Sequence, residues 1–383
     1  MGIQSVQTTA TKLGRRQALL SDEDIRRWYN NLKRASEITA DVRLRRLGKY
    51  CEEIRMQPKE LVEKDPQIVT DILDDKITRM EEQGYASGYI NGTVTAVKSW
   101  LAHFGIHTTR RLKIKNAYIA TTLQNEKVPE VEELSQMLLR GTIRARTLKQ
   151  LMAKSGIRPQ TIGNYKGTDG LILRDLPDLA ITPQGCRFLK HPAMLIVRPS
   201  ISKAGHQYLT FLTISAMQTI QGYLNHRIEK GEVLSPDSQL IKPDAPDRTQ
   251  RRFLTSQKVG DKIRQSLRPQ FTNRPYLFRA FFDTQLLIVE SKGKIAHDFR
   301  VFFMGHKGSI EGKYTTNKQR LPESLISEMR EAFKRAEPYL DLERFTVDET
   351  EKQRQEAMSK ITQLTPESLG QVLELLHKFG DVG

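Results

Sequence analysis

The chain has 383 residues, with 61 Lys and Arg against 45 Asp and Glu and a formal net charge of +16. That length suits two or three domains with ample core, and the positive excess favours a polyanionic partner, DNA or RNA before others. Two distant cysteines, Cys51 and Cys186, exclude a disulfide framework or a zinc spacing; with no apolar signal-peptide core and no run of ~18 apolar residues to span a membrane, a soluble, reducing, cytoplasmic setting is expected.

Residues 1–20 are polar and basic, with Lys12, Arg15 and Arg16, and read as a solvated tail or as an arm that touches a DNA backbone. Ser21-Asp-Glu-Asp24 reads as a helix start, a hydroxyl cap followed by an acid. Ile25, Trp28, Tyr29 and Leu32 mark its apolar face. A second helix follows Thr39, with Leu47, Tyr50, Cys51 and Ile54 in register. A third spans Asp65–Glu82 on Ile68, Ile72 and Ile77, and a fourth starts near Ser87 with Ile90, Val94, Val97, Leu101 and Phe104 before stopping at Gly105. Residues 21–118 are thus expected to form a helical domain of about four helices. Its polar faces carry Arg26, Arg27, Arg43, Arg45, Arg46 and Lys98, either an ordinary solvated face or a clamp across DNA. Arg110, Arg111, Lys113 and Lys115 lead into a linker over 119–130, a plain tether or a positive strap along a duplex.

From residue 130 the pattern changes. Helices are expected near Val131–Leu139 and Arg144–Lys154, with Gly156 ending the second. Arg158 falls at a helix-to-helix turn, and Pro159 suits the first position of a short helix. Leu171–Leu176 is an apolar segment. Met194–Arg198 and Gln207–Thr213 read as paired strands, with Ser202-Lys-Ala-Gly205 as their turn and Lys203 at its tip. Helices near Ser215–Lys230 and Phe253–Arg268 flank a surface loop, Pro236–Arg248. The next helix opens at Asn273-Arg-Pro-Tyr and buries Leu277, Phe278, Phe281, Phe282 and Leu286. Arg279 lies inside that apolar run, where a charge calls for an anionic partner. Gly305-His306 and Tyr314 follow in a segment punctuated by Gly308 and Gly312, and then a helix over Pro322–Ala336. The remainder, 338–383, is charged and then amphipathic, with Leu369, Val372, Leu373, Leu376 and Phe379 on one helical face that packs on its own domain or docks in a neighbouring subunit.

Alone, each polar residue here has an ordinary reading: a surface tyrosine, a structural histidine, a solvated arginine, a lysine at a hairpin tip. Their order and local settings are what stand out. Ser155-Gly-Ile-Arg158, Lys203, Tyr276-Leu-Phe-Arg279, Gly305-His306 and Tyr314 resemble the catalytic set of the tyrosine recombinases, the phage-integrase family. In that family an arginine lies in a turn, a lysine on a β-hairpin, H-x-x-R at a helix start, a histidine or tryptophan after glycine, and a tyrosine acts as nucleophile. Residues 131–337 resemble its catalytic domain and 21–118 its helical core-binding domain, so the resemblance covers most of the chain.

The resemblance implies a mainly α fold with a small antiparallel β-sheet (α+β), and a site-specific DNA recombinase or integrase that forms a 3′-phosphotyrosyl intermediate through Tyr314. Arg158 and Arg279 would clamp the phosphate, Lys203 would protonate the 5′-oxygen (Lys190 is its competitor), and His306 would assist proton movement. It implies no cofactor and no metal, double-stranded DNA as partner, a homotetramer on DNA and room for an accessory directionality factor. Two departures exist. Tyr276 fills the place of the expected histidine, keeping a hydrogen-bonding hydroxyl but with a pKa near 10, a poor base. The interval from His306 to Tyr314 is one residue shorter than usual. A catalytically weakened DNA-binding protein of the same fold, a chromosome-dimer resolvase and a type IB topoisomerase-like enzyme are the alternatives.

Overall fold

Apolar stripes at helical spacing, closed by polar caps, build most of this chain. The computed structural model describes residues 14–117, 129–243, 252–306 and 321–341. The chain divides into two compact units, Met1–Glu126 and Lys127–Gly383.

The first unit holds α1 (Arg15–Leu20), α2 (Glu23–Ala35), α3 (Glu37–Ile54), α4 (Pro58–Val62), α5 (Pro66–Glu82) and α6 (Ser87–His103). Its centre is an edge-to-face pair of indoles, Trp28 and Trp100, with ring centroids 5.6 Å apart. Both indole N–H groups find carbonyls: Trp28 donates to Ser99 at 3.1 Å and Trp100 to Pro58 at 2.8 Å. Buried donors thus stay satisfied while the rings fill the core.

Several expectations are corrected in this unit. Asp22, not Ser21, caps α2, accepting from the backbone of Asp24 and Ile25; the Ser21 hydroxyl instead donates to Ala18 at 2.7 Å. On α5 the buried stripe is Val69, Leu73, Ile77 and Met80, and Ile68 is half exposed. Residues 15–20 are helix rather than tail. Arg15 pairs with Glu52 at 2.7 Å, and Arg16 bonds Tyr29 at 2.9 Å and Asp41 at 3.2 Å, so neither is a free arm; Lys12 lies outside the described residues. The basic connector is also partly spent at home. Arg110 bridges Asp71 at 2.6 Å and Asp74 at 2.7 Å, while Leu112 and Ile114 pack against the core between the exposed Arg111, Lys113 and Lys115.

The second unit comprises α7 (Val131–Leu139), α8 (Ile143–Ser155), α9 (Pro159–Ile162), β1 (Leu179–Thr182), β2 (Gly185–Phe188), β3 (Ala193–Val197), β4 (Tyr208–Leu212), α10 (Ile214–Glu229), α11 (Ser256–Leu267), α12 (Tyr276–Ser291), α13 (His297–Phe303) and α14 (Glu323–Leu340). The α8 helix is its hub. It packs against α7, α10, α11, α12 and β4 and is buried from Thr147 to Ser155. Two lysines on it are buried, and each answers carbonyls at a helix end. Lys149 Nζ donates to Arg140 at 2.6 Å beyond the end of α7, and Lys154 Nζ donates to the Leu340 carbonyl and lies 3.5 Å from Asp341.

The strands form two antiparallel pairs. β3 and β4 run Ala193 opposite Leu212 to Val197 opposite Tyr208. The β1–β2 hairpin was not foreseen, because four-residue strands carry too little alternation to register. The Pro236–Arg248 segment is not simply a surface loop: Leu240 and Ile241 are buried, and Leu173 and Arg174 donate to the Ser238 and Pro236 carbonyls at 3.0 and 2.8 Å. The last described helix passes Ala336 and reaches Leu340, so residues 338–341 belong to this unit and not to a tail. Its acids explain why. Glu337 accepts from Ile214 N at 2.6 Å, and Asp341 accepts from Ser215 N at 3.0 Å; together they cap the start of α10, where backbone donors lack helical partners. No described helix is long and apolar enough to cross a membrane.

Candidate active site

Two glycines set the geometry of the site. Gly156 ends α8 in the left-handed region, φ +67°, and its N–H returns to Met152. A Cβ there would stand 2.3 Å from the Phe282 ring on α12, so α8 and α12 approach only because the residue is glycine. Ile157 is buried, Arg158 is the N-cap of α9, and Pro159 takes the first helical position as its missing N–H allows. Gly305, φ +57°, does the same after α13. Its N–H bonds Phe302 at 2.8 Å and that of His306 bonds Val301 at 3.2 Å, the paired bonds of a Schellman end. A Cβ on Gly305 would meet the Tyr208 ring at 2.4 Å.

These turns bring three of the expected residues together: the two arginines at one carbonyl, and the histidine against one of the arginines. Arg279, fully buried on the first turn of α12, donates from Nη2 to the Met304 carbonyl at 2.6 Å and from Nη1 to the Gly156 carbonyl. Arg158 Nη1 reaches the same Met304 carbonyl at 3.4 Å. His306 Nε2 lies 3.4 Å from Arg279 Nη2, and since the guanidinium can only donate, the imidazole nitrogen is the acceptor.

The electrostatics are unusual for a protein interior. Among the described residues neither guanidinium has a carboxylate partner, and Arg279 Nε has no hydrogen bond at all. Burial, then the neighbouring charge of Arg158, pushes the Arg279 pKa down; the Tyr208 and Tyr276 hydroxyls oppose that shift. His306 is likewise pushed below its ordinary value, first by burial and then by Arg279 and Arg158, which keeps it neutral near pH 7. Tyr208 is buried beside both arginines; burial raises its pKa while their charges pull it down. Buried charge without a counter-charge is costly, and an unpaired buried donor adds to that cost. An anion carrying several acceptor oxygens would relieve both.

Of the remaining expected residues, Tyr276 and Lys203 are described and Tyr314 is not. Tyr276 stands one turn before Arg279 and is half exposed. Lys203 is exposed on the turn that Gly205 N closes onto Ser202 O at 3.1 Å. The connection between β3 and β4 is tied to the arginine turn, since Thr161 on α9 donates to the Ile201 carbonyl at 3.4 Å and Thr210 on β4 donates to the Ser155 carbonyl at 3.1 Å. Tyr314, Gly308 and Gly312 lie outside the described residues. Sequence reasoning missed the Met304 carbonyl, a backbone group with no signature, and Tyr208, which reads as one more apolar strand residue.

No family model matches the chain and no curated protein does. Three solved structures illustrate what it is similar to. One is XerA recombinase, 14% identical over 80% of this chain and 96% of that one, TM-score 0.33. Another is XerH site-specific recombinase bound to palindromic difH substrate in a post-cleavage complex, 13% identical over 75% and 79%, TM-score 0.43. A third is the Tn1549 transposon integrase in complex with transposon right end DNA, 15% identical over 80% and 98%, TM-score 0.43. The functional reading rests on the side chains of the site and not on these likenesses.

Proposed function

We propose that the chain is a site-specific DNA recombinase that cuts and rejoins a DNA strand through a 3′-phosphotyrosyl link. The observation that carries this reading is the convergence of Arg158, Arg279 and His306, with no carboxylate answering either guanidinium among the described residues. A phosphodiester under attack gains negative charge on its non-bridging oxygens. Guanidinium groups hold such oxygens in pairs and stay charged. Their placement before the reaction starts is the kind of electrostatic stabilisation that contributes most in catalysis.

In the proposed step the Tyr314 phenolic oxygen bonds to phosphorus and the bond from phosphorus to the 5′-oxygen breaks. The phenolic proton passes to His306. That imidazole accepts from Arg279; a bound phosphate takes over the guanidinium and frees the nitrogen. Lys203 gives its proton to the departing 5′-oxygen. Tyr276, through its hydrogen-bonding hydroxyl, holds the phosphate. The new ester keeps the energy of the old one, so rejoining by a 5′-hydroxyl needs no nucleotide. The helical unit, with exposed Arg45 and Arg111, serves as the DNA clamp, and recombination of two duplexes calls for a homotetramer.

A nicked suicide substrate tests this directly, because loss of a short 5′ fragment traps the covalent product. Wild type forms a protein–DNA adduct and Tyr314→Phe forms none. Specific DNA binding by the wild type without any adduct would favour the catalytically weakened alternative.

A further inference from the structure

We propose that Arg198 is a positioning residue for Lys203, locking the turn that carries the general acid at a fixed place beside Arg158. The inference rests on the reading above, in which Lys203 protonates the leaving group.

Arg198 directly follows β3, and every nitrogen of its guanidinium is engaged. Nε bonds Asp175 at 2.9 Å; Nη2 bonds Asp169 at 3.0 Å and the Gly170 carbonyl at 2.6 Å; Nη1 reaches Ser200 at 3.2 Å. Asp175 is itself buried, and its other oxygen accepts from Ile172 N at 3.0 Å. A fork held on two carboxylates is far more directional than an ordinary surface ion pair.

The backbone of the same residue carries that order toward Lys203. Its carbonyl accepts from Ile201 N at 3.1 Å and from Ser202 N at 3.0 Å, and Ser202 opens the Lys203 turn. Ile201 in turn accepts from Thr161, on the short helix capped by Arg158. At its far end the connection enters β4 at Tyr208, whose ring rests against Gly305. Lys203 therefore sits on a turn anchored at both ends to the site, although its own side chain is exposed. A flexible lysine is a general acid only if its base is held within reach of the leaving oxygen, and Arg198 supplies that hold.

The test compares an ordinary DNA phosphodiester with one bearing sulfur at the 5′-bridging position. A thiolate leaves without a proton, because thiols are much stronger acids than alcohols. Arg198→Ala should slow adduct formation on the ordinary substrate by about 100-fold, the scale of a misplaced reacting group, and the deficit should shrink to a few-fold on the sulfur substrate. Lys203→Ala should behave the same way. Asp169→Asn, at a partly exposed partner, gives the same pattern if Arg198→Ala fails to fold. If Lys203→Ala is rescued by sulfur and the Arg198 and Asp169 variants are not, Arg198 does not act through Lys203 and the proposal is wrong. If Lys203→Ala is not rescued either, the general-acid reading fails and the proposal falls with it. Weakened DNA binding with an unchanged cleavage rate would make Arg198 a backbone contact and overturn the proposal as well.

Discussion

Arg279 pairs full burial with bonds to two carbonyls and no described counter-ion. Lysine keeps the charge but not the planar fork. Arg279→Lys should therefore lose about 100-fold or more in adduct formation, the cost of removing one preorganised donor, while gel-shift affinity for the site stays near wild type. Equal loss of binding and cleavage would contradict that assignment. His306 makes a separate prediction in pH. Its folded pKa is depressed by burial and by both arginines, so below about pH 6.5 the unfolded chain takes up a proton that the folded chain resists. Stability should fall as pH drops through that range, and Tm should fall less steeply in His306→Asn. Identical slopes would remove His306 from the arginine pocket. Arg158, Arg279 and His306, the side chains that meet in this pocket, were each legible from a local setting, a turn, a helix start and a residue after glycine, whereas Tyr208 was not. The Met304 carbonyl that joins them was not, since backbone groups leave no trace in residue identity.

At the scale of elements, the two glycine turns are where fold and site meet. Gly305→Ala forces a Cβ into the Tyr208 ring and into the left-handed region, a strain of about 1–2 kcal/mol before any clash. It should lower Tm and, in protein that remains folded, reduce adduct formation by displacing His306 and the Met304 carbonyl together. An alanine variant with full activity would mean that the turn does not position the site. The apolar face of α12 was read correctly from Leu277 to Leu286, as was the end of α8 at Gly156, because periodicity and φ > 0 requirements are local. The failures have non-local causes. Ile68 lost its place to Val69 because packing against α6 chose the α5 stripe. The buried Leu240 and Ile241 owe their place to bonds with Leu171–Arg174, far off in sequence. Lys149 and Lys154 look like surface lysines until carbonyls at other helix ends are seen to hold them.

For the whole molecule, the proposed function assigns the +16 charge a general attraction to DNA that should weaken steeply with salt, and the arginine pocket the chemistry. Part of the basic charge expected to meet DNA is spent inside the first unit: Arg15 and Arg16 of the expected arm and Arg110 of the expected strap all pair with acids there. Residues 365–383, which lie outside the described residues, are the proposed contact between protomers. Their deletion should weaken pairing of two DNA sites more than binding to one, and equal loss of both in gel-shift assays would count against that role. The most direct measurement of the central claim is mass spectrometry of the protease-digested covalent complex from a suicide substrate. The account predicts a 3′-phosphoryl nucleotide on the peptide containing Tyr314, absent from Arg158→Ala and Tyr314→Phe. A nucleotide on any other residue, or specific binding with no covalent product, would contradict it.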